Sequence, residues 1–298
     1  MSQIKASEVK ALREKTDAPM MECKKALIEA GGEFEKAEEI LRVKLGSKAG
    51  KTATRITAEG AISIDITGSV GTIIEINCET DFVAKNDDFL GFVRDLSKFL
   101  SSHFEPGLTV DSLKEMKLTN TDSVEDVRAR LIGKIGENIS IRRFKTIVAE
   151  GGTLHKYLHG TKIGVLLDLE GGTADVGKDV AMHIAAMKPK ALDISGIDQS
   201  LLDKEQRVAR EKAIKSGKPA EIIEKMVSGA VNKYVKEISL LGQVFVKAED
   251  GKQTVAEYLK SKGATVKAFQ LFVVGDGLEK KSENFAEEVA ATQAASKA

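Results

Sequence analysis

Tryptophan is absent, and aromatic residues make up only 5% of the 298 positions. That argues against a platform on which nucleic-acid bases stack. Lys plus Arg and Asp plus Glu balance at 45 each, so no basic field points to a direct nucleic-acid or membrane partner. The longest apolar runs fall far short of the roughly 20 residues that cross a bilayer. Met1-Ser2-Gln3-Ile4-Lys5 lacks the apolar core of a signal peptide. Cys23 and Cys78 are the only cysteines and form no close pair, which is the pattern of a reduced, cytoplasmic chain.

What is present divides the chain into units. Residues 1–45 read as three short helices. Val9 and Leu12 lie on one face of the first, and Pro19 starts a second with Met20, Met21, Ala26, Leu27 and Ala30. Phe34, Ala37, Ile40 and Leu41 form the stripe of the third. Residues 46–55, rich in Lys, Gly and Thr, read as a linker. Two later hairpins resemble each other: 62–66 and 71–76 around Gly68, and 156–160 and 163–169 around Gly160. Gly71 aligns with Gly164, and each second strand carries a single carboxylate. A helix-period stretch follows each hairpin, at 89–104 and 176–187, and each half regains a strand, at 139–144 and 266–274. The fold class is therefore α+β, a duplicated β-β-α-β core with antiparallel sheets at 56–150 and at 151–196 plus 239–281. An antiparallel helical hairpin at 197–238 is inserted in the second half, with an apolar stripe of Ile222, Met226, Val227 and Ala230. Residues 282–298 carry Phe285 and Val289 at helical spacing.

Thr80-Asp81-Phe82-Val83 is the stretch with most chemistry. It ends a strand and precedes the charged turn Lys85-Asn86-Asp87-Asp88, placing a carboxylate and an apolar wedge at one corner. Burying phenylalanine is worth roughly 1.5–3 kcal/mol, so local sequence alone folds Phe82 back under its own sheet, while the surroundings of the corner favour an exposed ring with a partner in view. Gly133-Lys134-Ile135-Gly136-Glu137-Asn138 is either a helix stop or a loop offering amides, Glu137 and Asn138 to a partner. Met20 and Met21 read mostly as core, but adjacent methionines cannot both face inward on one helix, so one of them, with Lys24, supplies an adaptable surface. Gly46 to Thr52 imitates a phosphate-binding loop but has the wrong glycine spacing and follows a helix. His155 and His159 would converge on a metal only if helical, and their segment is strand-like. His159 stands at a turn and is kept as a contact residue.

Taken together these residues resemble the bacterial translation elongation factor Ts family, essentially from end to end. The likeness is carried by Met20-Met21-Glu22-Cys23-Lys24-Lys25-Ala26-Leu27, by Asn77-Cys78-Glu79-Thr80-Asp81-Phe82-Val83, and by Ile135-Gly136-Glu137-Asn138-Ile139. His159-Gly160, His183-Ile184-Ala185-Ala186, Ser216-Gly217-Lys218-Pro219 and Leu241-Gly242-Gln243 add to it. The resemblance implies a guanine-nucleotide exchange factor for elongation factor Tu, without covalent chemistry, cofactor or metal. It implies a ubiquitin-associated-like domain in 1–45, a coiled coil in 197–238 and a C-terminal helical module in 282–298. Thr80, Asp81, Phe82 and Val83 become the wedge that disturbs the partner's Mg²⁺ site. Leu12, Met20, Met21, Lys24, Ile135, Gly136, Glu137, Asn138, His159 and Ile238 become further contacts. The hairpin stripe predicts packing on a second copy of the chain, giving a homodimer, or on another surface of the partner. A metal-dependent hydrolase around His155 and His159, and an adaptor using only residues 1–45, are the competing readings.

Overall fold

Val9 and Leu12 on α1 (Ala6–Thr16), Cys23, Ala26 and Leu27 on α2 (Met20–Glu29), and Ala37 and Leu41 on α3 (Phe34–Thr52) meet in one buried cluster. The computed structural model describes residues 4–16 and 18–278. Three helices therefore form at the amino end, but α3 does not stop where a linker was expected. It continues to Thr52, because Leu45 and Ala49, one turn apart, both find apolar cover. A Cβ on Gly133 would lie 2.1 Å from Leu45 Cδ2, and Ala49 joins the core beneath the first sheet. Arg42 adds an ion pair to Asp126 at 2.9 Å. Residues 46–52 are a docked helix, and the phosphate-loop imitation lies inside it. Only 53–58 connect it to the first strand.

The core follows as β1 (Glu59–Thr67), β2 (Val70–Cys78), α4 (Asp87–Ser102), α5 (Val110–Glu115), α6 (Val124–Ile135) and β3 (Ile139–Val148). Its second half is β4 (Thr153–His159), β5 (Ile163–Gly171), α7 (Ala174–Met187), α8 (Gln199–Ile214), α9 (Ala220–Ile238), α10 (Val255–Ser261) and β6 (Ala264–Val273). Both sheets are three-stranded and antiparallel, ordered β1-β2-β3 and β4-β5-β6. Side-chain alternation gives each sheet two apolar faces. Phe89, Val93, Leu96 and Leu100 of α4 cover Ile74, Ile76 and Ile141. Val176, Val180 and Ile184 of α7 cover Val165, Leu167 and Leu169. Ile62, Ile64 and Ile73 meet Leu166 and Phe272 between the sheets. The layers run helix, sheet, sheet, helix.

The duplication extends to fine geometry. Gly68 and Gly160 turn their hairpins with φ of 59° and 58°. A Cβ on Gly71 would sit 2.8 Å from Leu166, and one on Gly164 would sit 3.2 Å from Ile73, so each repeat's glycine receives the other's central side chain. The register slips after Glu75 in β2 and after Asp168 in β5, at the two aligned carboxylates.

Helices α8 and α9 form the expected hairpin. Ala209, Ala213 and Val227 are buried between them, and Arg210 holds Glu224 through two bonds of 2.6 and 2.9 Å. The expected apolar stripe divides. Val227 and Ala230 turn inward with Ile223, while Ile222 and Met226 stay exposed. Phe285 and Val289, expected in a C-terminal helix, lie outside the described residues.

Candidate functional site

Strand β2 ends at Cys78, and the chain turns through Glu79–Phe82 into a single helical turn at Val83–Lys85. Asn86 then caps α4, its side chain accepting from the amides of Asp88 and Phe89. A tight turn between strand and helix leaves no neighbouring strand to cover Phe82, which is 81% exposed. Val83 points the other way into the core. The wedge expected from the sequence is thus split: Phe82 faces outward, and Val83 anchors.

Asp81 is exposed and accepts from Lys85 Nζ at 2.7 Å. That bond holds its carboxyl below the ordinary aspartate range, and the charges of Lys85 and Lys162 act in the same direction. Thr80 is fixed from behind. Glu137 accepts from the amides of Glu79 and Thr80 at 3.1 and 3.0 Å and from Thr80 Oγ1 at 2.6 Å. Glu79 returns the gesture, accepting from Asn138 N at 2.6 Å and from Arg55 at 3.3 Å. Asn138 donates from Nδ2 to the carbonyls of Ala53 and Arg55.

The polar stretch 133–138 is accordingly a helix stop more than an open loop. Gly136 caps α6, Gly133 is packed under Leu45, and Asn138 is 5% exposed. Asn138 was expected to face a partner; its amide is needed inside, so it holds the corner instead. Ile135 is half-buried beside the α4 core, and Gly136 is exposed. Arg55 and Glu79 were missed as site residues. Their pairing spans 24 positions, and no local pattern signals it.

The second hairpin turn comes to the same end of the molecule. Ile62 N donates to the Thr161 carbonyl at 2.8 Å, and Lys162 pairs with Glu59, whose register partner is Cys78. His159 is exposed there, with Tyr157 Oη 3.4 Å from Nδ1. Met20, Met21, Lys24 and Ile28 form the exposed face of α2. Both methionines are exposed, one more than helix geometry required. Leu12 is a correction: fully buried in the three-helix core, it has no surface to offer. Ile238 is half-buried at the root of α9, its carbonyl accepting from Lys190 N at 2.7 Å.

His155 and His159 stand on strand β4, where four residues span about 13 Å. Among the described residues no group of three His, Cys, Asp or Glu side chains could hold a metal ion. Burial pushes the Cys78 thiol up to about 12, and its S–H points to the Thr80 carbonyl. His183 is buried and fully used: Val246 N donates to Nδ1, so Nε2 is the donor to Gln243 Oε1 at 3.0 Å. No helix among the described residues is long and apolar enough to cross a membrane.

A family model described as Elongation factor TS matches residues 79–276. Over 297 residues the chain is 56% identical to the curated Elongation factor Ts of Ralstonia nicotianae, the match spanning 100% of this chain and 99% of that one. It is also 56% identical to the protein of the same name from Janthinobacterium sp. (strain Marseille), and 55% identical to that of Acidovorax sp. (strain JS42), again over 99% of each relative.

Proposed function

Because the chain belongs to the elongation factor Ts family, we propose that it is the nucleotide exchange factor for elongation factor Tu in translation elongation, with Phe82 as its wedge. One observation carries the finer reading. Phe82 is 81% exposed on a corner whose Glu79 and Thr80 amides are held by Glu137 and whose Thr80 and Phe82 carbonyls accept from Ala84 N and Lys85 N. A large apolar group kept rigidly in water is stabilised when a partner covers it.

The mechanism is negative coupling between two ligands of one GTPase. The chain binds the nucleotide-free GTPase better than the GDP-bound form, and by linkage GDP weakens the chain's binding by the same ratio. Each ~1.4 kcal/mol of differential binding is a factor of about ten. Phe82 supplies energy of that order by filling an apolar slot that opens when GTPase helices shift. Asp81 trades Lys85 for donors that otherwise order the Mg²⁺ water shell. No bond is made or broken by this chain. Met20, Met21 and Lys24 on α2, and His159 at the second hairpin turn, extend the contact, which takes place in the cytoplasm.

Residues 1–45 act as a ubiquitin-associated-like domain and α8–α9 as a coiled coil that packs on a second copy or on the partner. The test of the central reading is the release of a fluorescent GDP analogue from elongation factor Tu, with and without the chain. Unaccelerated release would remove the exchange function.

A further inference from the structure

We propose that Glu137 is the positioning residue of the wedge, acting through Thr80 on the orientation of Phe82 rather than by touching the partner. The inference rests on Phe82 being the wedge. The corner 79–82 has no strand partner, and an exposed phenyl ring cannot fix its own backbone. One carboxylate holds the corner's first two residues. Glu137 Oε2 gathers the amides of Glu79 and Thr80, and Oε1 takes the Thr80 hydroxyl at 2.6 Å. Thr80 passes the constraint on: its Oγ1 accepts from Val83 N and its carbonyl accepts from Ala84 N at 3.2 Å, closing the turn that displays Phe82.

Donor counting leaves Glu137 a small capacity for any second partner. A carboxylate has about four lone-pair sites, and three donors already occupy three of them, which leaves one for a partner. The opposite arm is anchored too, since Glu79 binds Asn138 N and Arg55, and Asn138 binds the carbonyls that follow α3. The corner is therefore clasped between the end of the three-helix unit and the end of α6. Bonds to a charged acceptor are short and about twice as strong as neutral ones, which suits a device that sets geometry.

Glu137→Gln replaces one acceptor oxygen with an NH2 group that opposes the donors it should receive. Expected in GDP-release kinetics is a fall of about tenfold in the maximal rate, the loss of roughly one charge-assisted bond. The half-saturating concentration should stay nearly unchanged, because the surfaces on α2 and the second hairpin are intact. Thr80→Val, which exchanges the hydroxyl for a methyl and keeps the side-chain shape, should show a milder fall of the same kind. Glu137→Gln in a Phe82→Ala background should slow release no further than Phe82→Ala alone.

A full maximal rate in folded Glu137→Gln would overturn the proposal, as would a rise in half-saturation with an unchanged maximal rate. Additive losses in the double variant would also overturn it, since Glu137 would then act apart from Phe82. A fully active Phe82→Ala would instead remove the wedge reading itself, a separate result. If Glu137→Gln does not fold, Thr80→Val decides in the same assay by the same split.

Discussion

Glu75 and Asp168 occupy the same position in the two repeats, each just before the register slip of a central strand, yet only Glu75 is fully partnered. Glu75 accepts from Arg142, Arg143, Asn77 Nδ2 and Gly275 N at 2.7–3.2 Å, joining the first sheet to the end of β6. Asp168 is 4% exposed and its Oδ1 has no hydrogen-bond partner. Burial raises its carboxyl above the ordinary range, with Lys267 and His155 opposing and Glu170 reinforcing that.

Opposite outcomes follow for two similar substitutions. Glu75→Gln breaks a buried network from one side and should cost about 3 kcal/mol in urea unfolding. Asp168→Asn removes a buried charge whose Oδ1 has no hydrogen-bond partner, and should stabilise by about 1 kcal/mol at pH 7. The sign with pH is fixed by the raised carboxyl: its cost builds as pH rises from the unfolded value toward the raised folded value and is complete above it. The gain from Asp168→Asn should therefore vanish below about pH 4, where the unfolded carboxyl is also protonated. A destabilised Asp168→Asn at neutral pH would mean the carboxylate has a partner in solution.

Gly164→Ala tests the contact between the sheets. Its Cβ would lie 2.5 Å from Ile62 Cγ2, so the sheets must part slightly, at a cost of about 1–3 kcal/mol. Thermal melting of the variant reads this directly. An unchanged melting temperature would show that Ile62 relaxes freely and the interface is looser than its geometry.

His183 gives the molecule an acid sensitivity. Burial depresses its ring below the ordinary histidine range, despite the opposing bond to Gln243. Below about pH 6.5 the unfolded chain takes up a proton that the folded chain resists, so stability falls as pH drops toward the folded value. The slope approaches ~1.4 kcal/mol per pH unit for one such group. Urea midpoints at pH 7.5 and 5.5 should differ in that direction, and His183→Gln should flatten the difference while lowering both.

Phe82→Ala should leave the fold intact and cut stimulated GDP release at least about tenfold, since truncating a buried aromatic anchor costs roughly 2 kcal/mol or more. Asp81→Ala should be milder, because Asp81 sits exposed and already holds Lys85. Stopped-flow release measures both. A greater loss with Asp81→Ala would make electrostatic capture the main effect.

The hairpin's outward residues Ile222 and Met226 stand one turn apart on α9. Replacing both by Glu should abolish self-association in sedimentation while α8 and α9 remain paired through Val227 and Ala209. A monomeric wild-type chain, free and bound to elongation factor Tu, would rule out dimerisation through this face.

By itself the sequence determined the strands, the two sheet-covering helices, the inserted hairpin and their order, but not α5, α10 or the last turns of α3. Period-two runs such as Ile62–Ile66, glycine turns at Gly68 and Gly160, and apolar stripes on α4, α7 and α9 are local, and local spacing dictates them. The duplication was legible for the same reason, whereas local spacing at Phe82 pointed inward and only its surroundings marked it as exposed. Tertiary structure decided what depends on distant partners. Whether residues 46–52 form a linker or a helix turned on Leu45 meeting Gly133, 88 positions away in the chain. Leu12 was fixed as core only by the helices around it, and the α9 stripe was divided only by the side on which α8 lies. The role of Glu137 was decided the same way: its charge is written in the sequence, but its three donors come from residues 57 and 58 positions earlier, brought to it by the β2–β3 pairing. Backbone propensity is local, while hydrogen-bond satisfaction is settled only once the fold closes.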